Sequence, residues 1–197
     1  MKKGTIVLLG ILALVVLLFF NGCSSFNTMS KKEEAASAAW AQVENVYQRR
    51  SDLIPNLVNT VKGSANFEQK TLESVIQARA NATSIKVDAS KLSPEQIQKF
   101  QASQGELSQA LGRLMVVAEQ YPQLKSTEAF RDLTVQLESS ENRITVERQK
   151  FNDIVKDYNS YIRVFPQVIY SKMFGFEKKG YFEADKGAEK APEVKFE

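Results

Sequence analysis

Residues Ser93 to Pro122 read SPEQIQKFQASQGELSQALGRLMVVAEQYP, and this stretch decides the fold. Ser93 is an N-cap residue, Pro94 suits the first helical position, where its missing N–H is not needed, and Gln96 completes a capping box. From there Ile97, Phe100, Leu107, Leu111, Leu114, Ala118 and Tyr121 keep a heptad of alternating three- and four-residue steps, with polar Gln104 filling one step. Such spacing puts the side chains on one face of a helix, a pattern that a strand of period two cannot follow. An apolar stripe of this kind needs partner helices to cover it. Pro122 should close the helix.

The flanking sequence supplies those partners. Toward the N-terminus, Ser30 and Glu33 form a capping box, and Ala36, Trp40, Val43, Tyr47, Ile54, Leu57 and Val61 repeat the alternation up to Gly63. Arg50 is the one break in that stripe, and Pro55 lies inside it, where it removes a backbone hydrogen bond. A second helix is expected from Asn66 to Ile85 with Leu72, Val75, Ile76 and Ala82 facing in, followed by a polar stretch from Lys86 to Leu92. Beyond Pro122, a fourth helix should run from Ser126 to Phe165, presenting Phe130, Leu133, Leu137, Ile144, Phe151, Val155, Tyr158 and Ile162. Short reversals between four helices make an all-α, antiparallel up-and-down four-helix bundle over residues 30–165 the economical packing. After Pro166 the chain turns to spaced aromatics, Phe174, Phe176, Tyr181, Phe182 and Phe196, and residues 166–197 read as a tail lying along the bundle.

Composition narrows the function classes. Lys2 and Lys3 account for most of the formal charge of +3 in this 197-residue chain; without them 24 basic side chains face 23 acidic ones, interspersed throughout. A nucleic-acid binder shows a basic patch or stripe, so no nucleic-acid partner is expected. With no histidine and a single cysteine, Cys23, the chain has no His-activated nucleophile, no intramolecular disulfide and none of the usual zinc ligand sets. No cofactor is expected.

Lys2 and Lys3 precede an unbroken weakly polar to apolar run from Gly4 to Phe20, and residues 1–22 read as a membrane-directed segment. At about 1.5 Å per residue it just crosses a hydrocarbon core about 30 Å thick. Its length also fits a signal-peptide core. Gly22, Cys23, Ser24 and Ser25 resemble a bacterial lipoprotein processing site, although Phe20 and Asn21 fit that signal poorly. A retained transmembrane helix and a lipidated Cys23 therefore both stand, with residues 23–29 as a short linker. Lys2 and Lys3 favour the bundle on the extracytoplasmic side of a bacterial membrane, against which Lys31 and Lys32 count.

On the fourth helix Glu141 and Arg148 fall in or beside the apolar stripe, with Asn152 and Asn159 on the same side, so a polar seam enters the core. A buried charge needs a partner, and Arg50 reaching Glu141 supplies one. The seam fixes register and pairing in one reading. In the other, Asp52, Glu138 or Glu141 serves a carboxylate-dependent hydrolase or an ion-binding site, which requires a solvent-filled cleft converging on them.

Several motifs occur in order along the chain. Tyr47-Gln48-Arg49-Arg50-Ser51-Asp52-Leu53-Ile54-Pro55-Asn56-Leu57-Val58 is followed by Leu111-Gly112-Arg113-Leu114 and by Ala118-Glu119-Gln120-Tyr121-Pro122. Then come Leu137-Glu138 with Glu141-Asn142-Arg143-Ile144, Phe151-Asn152-Asp153, Tyr158-Asn159, Phe165-Pro166 and Tyr181-Phe182-Glu183. From about Trp40 onward the chain resembles the LemA family of bacterial membrane proteins in these motifs. The resemblance implies a four-helix up-and-down bundle behind an N-terminal membrane helix, and it brings no catalytic residues with it. Cys23 departs from the family's usual uncleaved, cysteine-free span, and the family orientation often places the short N-terminus outside, opposite to what Lys2 and Lys3 favour. The expectation is a non-enzymatic, membrane-tethered interaction or scaffold module facing an envelope protein.

Overall fold

The computed structural model describes residues 3–64 and 67–184, and these form six helices with no strand among them. The first, α1, spans Lys3–Lys62 without interruption, about 90 Å at the helical rise. The expected linker over residues 23–29 is thus helical, and the capping box at Ser30 starts nothing. The physical reason lies in the residues: no proline or glycine occurs between Cys23 and Met29, and Ser25 and Met29 are buried. Tertiary packing continues a helix that a local cap would have begun.

Helices α2 (Gln69–Ser84) and α3 (Pro94–Ala118) follow, then the single turn α4 (Pro122–Ser126), the long α5 (Glu128–Tyr161) and the short α6 (Gln167–Phe174). Pro122 begins α4 instead of only closing α3, since its fixed φ suits a first helical position. Ser93 caps α3, accepting from the Gln96 N–H at 3.3 Å. Thr127, one residue beyond the expected Ser126, does the same for α5. Ile76, expected inside, is 45% exposed, and Ala78 is buried in its place.

Helix α1 packs on α5 and α2 on α3. Arg50 meets Glu141 and Lys32 meets Asp157, so α1 and α5 run in opposite directions. Three apolar clusters follow one another along α1. Ile54, Leu57, Val58 and Val61 join residues of α2, α3, α4 and α5 around Leu107 and Leu114. Next, Trp40 lies against Phe100, Phe151 and Phe182 at ring separations of 5.1, 5.6 and 6.0 Å. Met29, Tyr158 and Ile162 make the third.

Helix α2, only 16 residues long, cannot reach the Trp40 cluster. Val87 and Leu92 of the loop after α2, together with Phe182 of the C-terminal segment, fill that position. Gly180 is where the segment crosses the start of α3: its N–H donates to Leu92 O at 2.8 Å, and a Cβ there would lie 2.7 Å from Pro94 Cα. Of the expected tail aromatics, Phe182 is buried, Phe176 and Tyr181 are half-buried, Phe174 is exposed, and Phe196 lies outside the described residues.

Candidate functional site

Arg50 enters the core from α1 with 2% of its side chain exposed. Its Nη1 donates to Glu141 Oε2 at 2.7 Å and to Ser108 Oγ at 2.9 Å, and its Nη2 donates to Gln104 Oε1 at 2.7 Å. The guanidinium carbon sits 5.1 Å from the centre of the Tyr47 ring. Glu141 remains 53% exposed, so a buried cation meets a carboxylate that keeps much of its water. This arrangement avoids the desolvation penalty of burying both ions. Gln104, the polar break in the α3 stripe, turns its Nε2 to Ala82 O at 3.2 Å. That carbonyl lies in the last turn of α2, where no helical N–H remains to serve it. One network therefore links α1, α2, α3 and α5.

Pro55 creates a second polar problem. It has no N–H for the carbonyl of Ser51, four residues before it. Arg79 of α2 supplies the donor, its Nε lying 2.9 Å from Ser51 O. Sequence reasoning did not single out Arg79, although a proline inside a helix implies an orphaned carbonyl in search of a donor.

The residues grouped as a seam on α5 divide into two sets. Arg148, Asn152 and Asn159 do not join Arg50 and Glu141; they hold the C-terminal segment. Asn152 donates to Phe182 O at 2.8 Å and accepts from Phe182 N at 2.9 Å, and Asn159 makes the same two-way pairing with Lys179, both at 2.9 Å. The spacings match: seven helical residues and three extended ones each cover about 10 Å. Arg148 donates to Glu183 O at 2.8 Å and lies over the Phe182 ring at 4.9 Å.

Lys179, also missed in the sequence, repeats the chemistry of Arg50. It is 1% exposed, and its Nζ reaches Glu33 Oε1 at 3.0 Å and Ser90 O at 3.1 Å, 5.2 Å from the centre of the Tyr158 ring. A lysine among spaced tail aromatics carries no local signal of burial. Burial, reinforced by Glu33 and Glu177, pushes the Tyr158 phenol well above its ordinary range, and its hydroxyl donates to Glu177 O at 2.9 Å. Asp88 is held below the usual carboxylate value by Ser90, whose hydroxyl and N–H both donate to it.

The remaining candidates stand apart. Asp52 is exposed and accepts from Gln48, four residues away on α1, at 2.8 Å. Arg49, Asn56 and Cys23 are exposed on α1. Glu138, Asn142 and Arg143 face outward on α5, where they line an open depression of about 440 Å³ with Val135, Ser139, Val146 and Glu147. Residues of a single helix cannot enclose a substrate, and Asp52, Glu138 and Glu141 do not converge on a cleft. Among the described residues no group of three or more carboxylates or cysteines is placed to hold a metal ion.

The sequence model of the LemA family matches residues 39–196. The chain belongs to the LemA family. It is 28% identical over 178 residues to the magnetosome protein MamQ of Magnetospirillum gryphiswaldense, an alignment covering 80% of this chain and 64% of MamQ. It is 24% identical over 139 residues to protein LemA of Metamycoplasma hominis, covering 71% of this chain and 60% of that protein. The chain thus spans less than two thirds of the length of these curated relatives. In this LemA-family chain the motif residues serve different places: Arg50 and Pro55 lie at internal polar junctions, Asn152 and Asn159 hold the C-terminal segment, and Glu138, Asn142 and Arg143 face solvent.

Proposed function

We propose that this LemA-family chain is a non-enzymatic interaction module, an up-and-down four-helix bundle tethered to a bacterial membrane and presenting the outer face of α5 to a protein of the cell envelope. The observation that carries this reading is the placement of the motif residues on α5. Glu138, Asn142 and Arg143 lie between Val135 and Val146, which are 62% and 49% exposed, giving an outward-facing strip of polar residues with an apolar side chain at each end. Such a strip suits a protein surface, and its openness suits no small substrate. Photo-crosslinkers at Val135 and Asn142, compared with one at exposed Val116 of α3, test it in cells. A discrete adduct from the α5 positions alone supports the module; equal yields at all three positions, or no adduct, reject it.

The N-terminal part of α1 is the one helical stretch among the described residues that is long and apolar enough to cross a membrane. We read it as a retained span. Tyr170 of α6 donates to Leu18 O at 3.3 Å and packs on Gly22, contacts that processing before Cys23 would remove. Mass spectrometry of the mature N-terminus decides: an intact segment supports the span, whereas an acylated Cys23 at the N-terminus replaces it with a lipid anchor. Protease protection in spheroplasts tests the extracytoplasmic placement of the bundle.

A further inference from the structure

Helix α6 and the turn before it expose more apolar surface than a short connecting element needs. Phe165 is 80% exposed, Met173 64%, Ile169 56% and Val164 51%, and the four occur within ten residues of chain. Scattered single apolar residues on a surface are ordinary, but a contiguous group marks an interaction surface. The position of the group identifies its partner.

Tyr170 meets α1 at Leu18 and Gly22, and Phe174 meets it at Phe26, with ring centres 5.2 Å apart. The two helices therefore run the same way here, and the start of α6, with Phe165 beside it, points back toward the apolar run. That run ends at Phe20, and its side chains from Leu8 to Phe20 are themselves exposed. The apolar group of α6 thus lies level with the last turns of the candidate span. Exposed Arg163 and Lys172 flank it. Tyrosine and other aromatics at the end of a span, beside cations able to reach lipid phosphates, are the composition of a membrane–water interface.

We propose that α6 and the Val164–Phe165 turn dock into the interfacial layer of the lipid bilayer, forming with the end of the α1 span a second membrane contact that fixes the height and tilt of the helical body. The inference rests on the reading of α1 as a membrane span. An amphipathic element at this depth buries its apolar face at the boundary of headgroups and acyl chains. A single helix entering a bilayer leaves the body above it free to swing, whereas two contacts on adjoining elements hold it.

Tryptophan placed at these positions in the full chain reads the depth directly. Phe165→Trp, Ile169→Trp, Leu12→Trp and Val116→Trp are reconstituted into phosphatidylethanolamine–phosphatidylglycerol vesicles whose acyl chains carry bromine either near the headgroup or near the chain end. Trp40 is fully buried and serves in every variant as the unquenched background. The expected result is loss of most of the added emission at 165 and 169 with bromine near the headgroup, at 12 with deeper bromine, and none at 116. Quenching at 12 without quenching at 165 and 169 overturns the docking of α6 and leaves the span standing. No quenching at 12 rejects the span and the docking with it. Equal quenching at 116 also overturns the proposal, because the contact would then not be specific to α6.

Discussion

Arg79 Nε donates to the carbonyl oxygen of Ser51 at 2.9 Å, replacing the helical donor that Pro55 cannot provide. Proline in a helix interior costs about 3 kcal/mol, and part of that cost is an unpaired carbonyl, which a neighbouring helix can remove. Pro55 and Arg79 are therefore one device, joining α1 to α2.

The expected consequence is coupling between them. Arg79→Met keeps the aliphatic stem but strands a carbonyl of buried Ser51, at a cost of about 1–3 kcal/mol. Pro55→Ala restores an N–H for that carbonyl, so Arg79→Met costs less in its presence. Thermal or urea unfolding of the four chains, followed by far-UV circular dichroism in detergent, measures the cycle. A coupling energy below about 0.5 kcal/mol would show that the two residues act independently.

Gln104 gives a prediction that runs against the sequence pattern. Gln104→Leu completes the heptad of α3 and looks stabilising. It also removes the side-chain acceptor of Arg50 Nη2, leaving that nitrogen the Gln104 backbone O at 3.4 Å, and removes the donor to Ala82 O, both in the interior. Stability is expected to fall by about 2 kcal/mol, because Arg50 Nη2 keeps one long hydrogen bond where it had a short one and Ala82 O loses its side-chain donor. A melting temperature equal to or above that of the wild-type chain would refute this account of the network.

The C-terminal segment is held by paired amides, so its release should be separable from unfolding. Asn152→Ala with Asn159→Ala removes four hydrogen bonds to the backbone of Phe182 and Lys179. Trypsin should then cut after Lys179, whose side chain is now buried, much faster than in the wild-type chain. The emission of Trp40 should shift to the red as Phe182, 6.0 Å from it, gives way to water. Unchanged cleavage with unchanged emission would mean that the two amides are dispensable, the segment being retained by Phe182 and the polar contacts of Lys179, Gly180 and Glu183.

What the sequence made legible was periodic. The stripes of α1, α3 and α5 followed from steps of three and four, and Ser93 capped its helix where the pattern placed it. What escaped was non-local. Periodicity names the face a polar residue occupies but not the element it meets, so Arg148, Asn152 and Asn159 could be placed on one side of α5 without revealing that an extended segment, and not α1, lies there. The cap at Ser30 was a true local signal overridden by burial of Met29 against Tyr158 and Ile162. Lys179 left no local trace, since its burial depends on Glu33 and Ser90, far away in the chain. For Arg79 half the signal was local, since the Ser51 carbonyl that Pro55 orphans can be counted from the sequence, but the residue that serves it lies on another helix.

Tyr158 supplies the last expectation, a dependence on alkaline pH. Its hydroxyl is buried and donates to Glu177 O, and burial holds its proton far above the ordinary tyrosine value of 10.0. The folded chain thus keeps a proton that the unfolded chain releases above that value. Stability from this group is complete below pH 10.0 and falls as pH rises beyond it, since the unfolded state then binds fewer protons than the folded one. Tyr158→Phe removes the titration together with one hydrogen bond. It should lower stability by about 1 kcal/mol near neutral pH, yet lose less further stability than the wild-type chain above pH 10.0. The two chains differ in this one group, so the difference between their two curves of melting temperature against pH reads the phenol. Parallel curves would show that Tyr158 ionises as readily in the folded chain as in the unfolded one.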